Sequence, residues 1–375
     1  MSAHAFLPPS AAHIWVVCAM WPTMNRLYPE TGEKPAAREG TAAHWAMEQV
    51  LHRREIQVGQ FAENGEPLTQ EMLEGADLYS DVVAAAYASV PSVTAYCVER
   101  RVLIPYVHAA NWGTPDTWIF GHNPTTGRAQ LIVIDYKFGH EFVPVFENWQ
   151  LVDYACGILS ELGANDQMVD VEFIIVQPRN YHRDGPVRRW HVRADMLRAQ
   201  VNILTSAAER AHMPKPVATV SPGCEHCPGR HACAPLQQAG YASAALAQDS
   251  TPLEMDPAAR GLELKMLESA QLLLEARISG LAEQVEHDIV TGGGNPHYHM
   301  VSTTGRVKWI KPADEIIALG QLCGADLSQP DVVTPTQAKK LIDPALVDAY
   351  SERGAGGRKL EQLSTANTRQ IFGTK

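Results

Sequence analysis

Ile132-Val133-Ile134-Asp135-Tyr136-Lys137 is the stretch that decides the fold. A β-branched apolar run ending in Asp-x-Lys reads as a buried strand that delivers polar groups at its end. Successive strand side chains alternate faces, so Asp135 and Lys137 emerge on one side and Tyr136 on the other. A carboxylate and an ammonium then share one site. Asp-x-Lys alone is also common as a solvated ion pair, so its sequence neighbours decide the reading.

Working outward, residues 95–104, 117–123 and 129–138 have strand character, with Asn123-Pro124-Thr125-Thr126-Gly127 as the turn between the last two. Residues 169–179 form a further apolar strand. Helical spacing is found over 41–55, with Thr41 as its cap, and over 69–89, 147–162 and 194–211. A short helix over 11–20, capped by Ser10, precedes a Pro-, Gly- and charge-rich surface loop at 22–40. Strands with helices on both sides predict an α/β fold, a mixed central β-sheet flanked by helices. Residues 1–240 form the main domain and 241–257, rich in Ala, Ser, Gln and Pro, a linker. Residues 258–375 form an α-rich C-terminal extension of unknown role. It has a long amphipathic helix over 258–290, a β segment over 297–309, helices near 312–323 and 335–350, and a loosely structured last 25 residues. Arg306-Val307-Lys308-Trp309 mixes basic and aromatic character but reads best as an ordinary strand.

The chain has 375 residues, a hydrophobic content of 45% and a formal net charge of -11, enough for a sizeable core and more than one folding unit. Bulk electrostatics do not advertise a nucleic-acid binder, so any such contact needs a local groove. No apolar run reaches the roughly 18 to 20 residues that span a bilayer, and no signal segment opens the chain. A cytoplasmic protein with no membrane partner is expected. Seven cysteines in an uneven, odd set argue against a disulfide framework. Cys224, Cys227 and Cys233 lie close together in a Pro- and Gly-marked loop and point to metal, whereas Cys97, Cys156 and Cys323 read as buried small hydrophobes.

Gly113-Thr114-Pro115-Asp116 closes a turn that can set Asp116 beside Asp135. Two carboxylates on neighbouring strand ends make a hard-oxygen site suited to magnesium or manganese, with His44 as a third ligand. Gln150 and Tyr154 lie four residues apart on one helical face and can reach the same cleft. Phosphodiester hydrolysis needs an activated water and stabilisation of phosphate charge. The metal ligands and Lys137 together answer both needs.

The ordered series Gly40-Thr41-x-x-His44, Glu99, Gly113-x-x-Asp116, Asp135-x-Lys137 and Gln150-x-x-x-Tyr154 resembles that of RecB-like nucleases of the PD-(D/E)XK superfamily, over about residues 10 to 235. The branch is similar to a phage and prophage family, with likeness to AddB-type and CRISPR-adaptation iron–sulfur nucleases. The resemblance implies a Mg2+- or Mn2+-dependent deoxyribonuclease, an exonuclease acting on free DNA ends in phage recombination or replication. A non-catalytic DNA-end or partner-binding module and a structure-selective endonuclease are its rivals. It implies that His44, Asp116 and Asp135 bind metal and Lys137 is catalytic. Glu99 matches an acidic family position, and Gln150, Tyr154 and Tyr136 are assigned to the substrate side. It also offers Cys18 as the fourth ligand, with Cys224, Cys227 and Cys233, of a [4Fe-4S] cluster. Zinc on the same cysteines, with or without His226 or His231, is the alternative. A phage single-strand annealing or single-strand-binding protein is the implied protein partner, and the host cytoplasm the implied compartment.

Overall fold

In the computed structural model, residues 5–30, 34–180, 182–246, 254–304, 307–328, 333–353 and 358–362 are described. The chain divides into two compact units, Met1–Arg277 and Ile278–Lys375.

The first unit is α/β. Its sheet has the order β1-β4-β5-β6-β7, formed by β1 (Ser92–Val98), β4 (Thr117–Asn123), β5 (Arg128–Tyr136), β6 (Val169–Val176) and β7 (Val187–Arg193). β1, β4 and β5 pair antiparallel, β5 and β6 parallel, and β6 and β7 antiparallel. The parallel pair requires a crossover, supplied by α5 (Trp149–Glu161), which Asn148 caps by accepting from the Gln150 and Leu151 amides.

β5 is apolar on both faces because both are covered. Leu131 and Val133 enter a core with α1 (Ala12–Trp15), α5 and α6 (Arg198–Ala211). Ile132, Ile134 and Tyr136 enter a second core under α3 (Pro35–Leu51) and α4 (Gln70–Ser89).

Several local expectations shift. The helix expected to start at Thr41 begins at Pro35, with proline in its first turn, and Thr41 Oγ1 donates back to the Ala37 carbonyl at 3.0 Å. Gly40-Thr41 is therefore mid-helix, not a cap. The segment 11–20 is not one helix: a 3-10 turn at Pro9–Ala11 and the short α1 are followed by α2 (Trp21–Leu27), inside the stretch expected to be loop. Residues 95–104 do not run as one strand. The backbone turns at Glu99, where φ is 46°, and resumes as β2 (Val102–Leu103), paired with β3 (Trp112–Gly113).

The stretch expected as a linker at 241–257 opens inside α7 (Ala234–Leu246) and meets α8 (Pro257–Val290) at its end, while residues 247–253 lie outside the described residues. In the second unit, helices Ala313–Leu322, Pro335–Ala338 and Pro344–Ala349 gather around Ile316, Leu327, Ala338 and Val347. The last 25 residues are not uniformly loose: Ser351–Arg353 and Arg358–Gln362 pair with Val307–Trp309 and Tyr298–Ser302. Trp309 joins that small core and donates from Nε1 to the Val333 carbonyl, whereas Arg306 lies outside the described residues. Cys323 is exposed, against the expectation of burial. No described helix is long and apolar enough to cross a membrane.

Candidate metal and phosphate site

The site lies where β5 ends. The register pairs Thr117 with Ile134, so the next residues along, Asp116 and Asp135, come side by side at the same end of β4 and β5. Asp116 Oδ2 accepts the Tyr136 backbone N–H at 2.6 Å, which caps the strand end and fixes the carboxylate. Its other oxygen, Oδ1, stands 3.5 Å from Nδ1 of His44, which α3 brings from the opposite face. Glu99 approaches the same histidine nitrogen at 4.0 Å, placed there by its left-handed turn. A non-glycine residue in that region is strained, and such strain gathers at working sites. Ligand atoms of His44, Glu99 and Asp116 all lie within 4.8 Å of one another.

On the α5 side of the sheet, Lys137 Nζ stands 3.0 Å from Asp135 Oδ2 and donates to Gln150 Oε1 at 3.0 Å. Gln150 Nε2 donates to Asp135 Oδ1 at 2.9 Å. Lysine, aspartate and glutamine thus close a ring of hydrogen bonds.

Burial dominates the electrostatics and the ion partners decide the signs. Burial alone would raise the Asp116 carboxyl, but His44 and Lys137 hold it below the usual carboxylate range. Asp135 goes the other way: burial lifts it, and the pull of Lys137 does not fully offset that. Burial and then Asp116 push Glu99 up to about 8. Burial would discharge His44 and Lys137, yet the carboxylates outweigh it and keep both above their ordinary values. Three carboxylates therefore face one lysine and one histidine, a donor set short of positive charge that suits a hard divalent cation.

Of the predicted residues, His44, Glu99, Asp116, Asp135, Lys137 and Gln150 converge here. The two tyrosines do not face outward. Tyr136 is fully buried, on the α3/α4 side, with its ring 5.3 Å from that of His44 and 5.4 Å from that of Tyr79. The substrate role expected for Tyr136 is corrected accordingly: alternation that turns Lys137 toward the cleft turns its neighbour into the core. Tyr154 is also buried and donates its hydroxyl to the Thr114 carbonyl at 3.2 Å. Gly113 makes this contact possible, since a Cβ there would stand 2.7 Å from the Tyr154 ring. Tyr154 props the loop carrying Asp116, and its hydroxyl also lies against Gln150, within electrostatic reach of Asp135 and Asp116.

Two features escaped the sequence reading. Asp153, completely buried on α5, accepts from Asn111 Nδ2 with both oxygens at 2.9 Å and so ties the helix to the residue just before β3. A charged residue between Gln150 and Tyr154 was the available signal. His13 of α1 lies within electrostatic reach of Lys137 and Glu141, and its ring is 6.5 Å from that of His226.

Cys18, Cys224, Cys227 and Cys233 line a single small, largely apolar cavity with Ile14, Trp21, Met24 and Leu236. Backbone N–H groups of Thr219 and Ser221 donate to the sulfurs of Cys18 and Cys224, each at 3.4 Å. Burial, reinforced by the neighbouring sulfurs, pushes the Cys227 thiol up to about 12. His231 packs edge-on against Tyr28 and His226 against His13. The four cysteines make no trio as close as 4.8 Å among the described residues.

A mixed five-stranded α/β sheet that gathers a histidine, carboxylates and a lysine at one strand end defines the class of this chain. It belongs to the family described as a protein of unknown function, DUF2800, which matches residues 4–356. Among solved structures it is similar to an alkaline exonuclease (LHK-Exo) from Laribacter hongkongensis, with 15% identity and a TM-score of 0.25 over 54% of this chain and 84% of that one. It is also similar to SSO0001, with 12% identity and a TM-score of 0.27 over 58% of this chain and 94% of that one.

Proposed function

We propose that this protein is a divalent-metal-dependent deoxyribonuclease that hydrolyses phosphodiester bonds at DNA ends. The observation that carries the reading is the meeting, at the end of β5, of His44, Glu99, Asp116 and Asp135 with Lys137. Pure binding of DNA gives no reason to bury carboxylates beside a phosphate path, whereas metal-assisted hydrolysis requires them. His44, Asp116 and Asp135, with Glu99 beside them, would hold magnesium or manganese, which supplies a Lewis acid and makes water acidic enough to react. Lys137, kept charged by Asp135 and aimed by Gln150, donates to the attacked phosphate and stabilises the charge that grows on it. Asp116 keeps His44 oriented while the Tyr136 N–H keeps Asp116 in place.

The test uses 5′- and 3′-labelled linear DNA, single- and double-stranded, with manganese and a covalently closed circle as control. Linear substrate shortened from an end, an untouched circle and arrest by chelator are the expected results. Intact linear DNA under every condition rejects the nuclease reading, and a nicked circle turns it into an endonuclease.

We further propose that Cys18, Cys224, Cys227 and Cys233, which line one cavity, hold a [4Fe-4S] cluster. Zinc with Zn–S bonds of about 2.3 Å would hold its sulfurs about 3.8 Å apart, and no three of these sulfurs lie within 4.8 Å of one another among the described residues. Amide donors to the sulfurs are a further feature of such clusters. A cluster here would join the α1–α2 segment to the 224–233 loop as a structural clamp. Anaerobically purified protein is expected to be brown, with broad absorbance near roughly 400 nm and about four irons per chain. A colourless preparation with one zinc per chain would replace the cluster by zinc.

A further inference from the structure

Between Lys137 and Gln150 the chain makes an excursion whose two ends are tied by the hydrogen bond from Lys137 Nζ to Gln150 Oε1. Up to the start of α5 it contains no helix or strand, yet its backbone is held firmly from beneath. Gln177, fully buried just past β6, donates to the Gly139 and Glu141 carbonyls at 2.7 and 2.6 Å and accepts from the Val143 amide at 3.3 Å. Arg188, itself buried, donates to Gln177 Oε1 at 2.5 Å and to the Val143 carbonyl at 3.0 Å.

This fixed frame presents two aromatic rings to solvent: Phe142 is 38% exposed and Phe146 63%. The Arg188 guanidinium lies under Phe142, 4.7 Å from the ring centre. The His182 ring stands 4.2 Å from Phe142, and Trp190 flanks Phe146 at 5.2 Å. Aromatic rings held in water on a pinned loop beside a reaction site are suited to a ligand with flat apolar faces. The same loop carries Glu141 and Glu147, and the chain's net charge is -11. The loop's own charges therefore attract phosphates little, and its exposed rings are the groups it offers to bases.

We propose that Phe142 and Phe146 form a stacking platform for unpaired bases of the DNA strand whose phosphate lies at Lys137, so that the site prefers a single-stranded or splayed end to closed duplex. The proposal rests on the nuclease reading for its substrate and adds the strand state. Every base has a π-face, so stacking tolerates any sequence, but pairing and stacking within a duplex hide those faces. Phe142 is five residues from Lys137, at most roughly 18 Å of extended chain. The platform thus serves bases within a few nucleotides of the reacting phosphate.

The test is binding of single-stranded 20-mers, with 2-aminopurine at successive positions, to the full chain without added divalent cation. Quenching at one or two positions near an end is expected. Phe142→Ala and Phe146→Ala are each expected to remove that quenching and weaken binding by ~10-fold, while Phe142→Trp and Phe146→Trp restore it. The salt dependence should be shallow and the same in all variants, since no phosphate contact is removed. Phe146, the more exposed ring, keeps the test valid if Phe142→Ala fails to fold. Alanine variants that bind and quench like the parent overturn the proposal, as does blunt duplex binding as tightly as single strand. Quenching with no cleavage in the labelled-DNA assay retains the platform and rejects the nuclease, and cleavage without quenching does the reverse.

Discussion

Lys137→Ala is expected to lower the rate of DNA cleavage by ~10²- to 10³-fold or more, the cost of removing one preorganised charge at a developing anion, without unfolding the chain. The side chain leaves from the last turn of the sheet, partly exposed, and its polar contacts are Asp135 and Gln150. What changes is the charge balance: Asp135 and Asp116 stay buried together without the ammonium that draws both toward ionisation. Without the ammonium the Asp135 carboxyl is raised further, so the defect should deepen as pH falls. Lys137→Arg should restore charge but not the ring with Gln150, because a planar fork replaces a point charge. Single-turnover rates on linear DNA from pH 6 to 9, with circular dichroism as the fold control, measure this. A Lys137→Ala enzyme that cuts at the parental rate across that range removes Lys137 from the mechanism.

Asp153→Asn is expected to stabilise the protein in mildly alkaline solution. Burial pushes the Asp153 carboxyl up to about 7, and the Asn111 amide only partly opposes this. The unfolded chain titrates this group near 3.9, so between the two values the folded state holds a proton that the unfolded state has lost. The stability linked to Asp153 is complete below about pH 4 and is lost as pH rises through about 7. Above that, an anion sits in the core without a cationic partner, at a cost of a few kcal/mol as an order of magnitude. Asparagine removes the charge, and its amide can donate to Asn111 Oδ1, a buried acceptor with no hydrogen-bond partner. The variant should unfold at higher urea than the parent at pH 8, with the gap closing toward pH 5. An equal gap at both values, or a less stable variant at pH 8, contradicts the assignment.

The β5 reading could be made from sequence because two local rules agree there. β-branched residues fill a strand covered on both faces, and period-2 alternation separates Asp135 and Lys137 from Tyr136. The pairing of Asp116 with Asp135 was readable for a similar reason, since a short turn fixes register. Glu99 was harder: its position depends on a left-handed corner between β1 and β2, and nothing in Val98-Glu99-Arg100 announces one. α3 starts earlier than Thr41 because Pro35 is already suited to a first helical turn, a signal masked by the Pro-, Gly- and charge-rich residues around it. Tyr154 sits at the spacing expected for a cleft residue, yet tertiary packing against Gly113 buries it. Asn111 and Asp153 are 42 positions apart, and no local pattern encodes such a pairing. The gathering of Cys18 with the 224–233 loop is equally non-local and came from resemblance alone.

The amide of Tyr136 engages one oxygen of Asp116, so two-oxygen coordination of an incoming ion by this carboxylate would compete with a strand hydrogen bond. Calcium normally fills a roomy shell of six to eight oxygens and often takes both from a carboxylate, whereas magnesium accepts a compact octahedron completed by water. If the proposed metal binds here, this strand hydrogen bond is expected to favour small ions that keep much of their hydration over calcium.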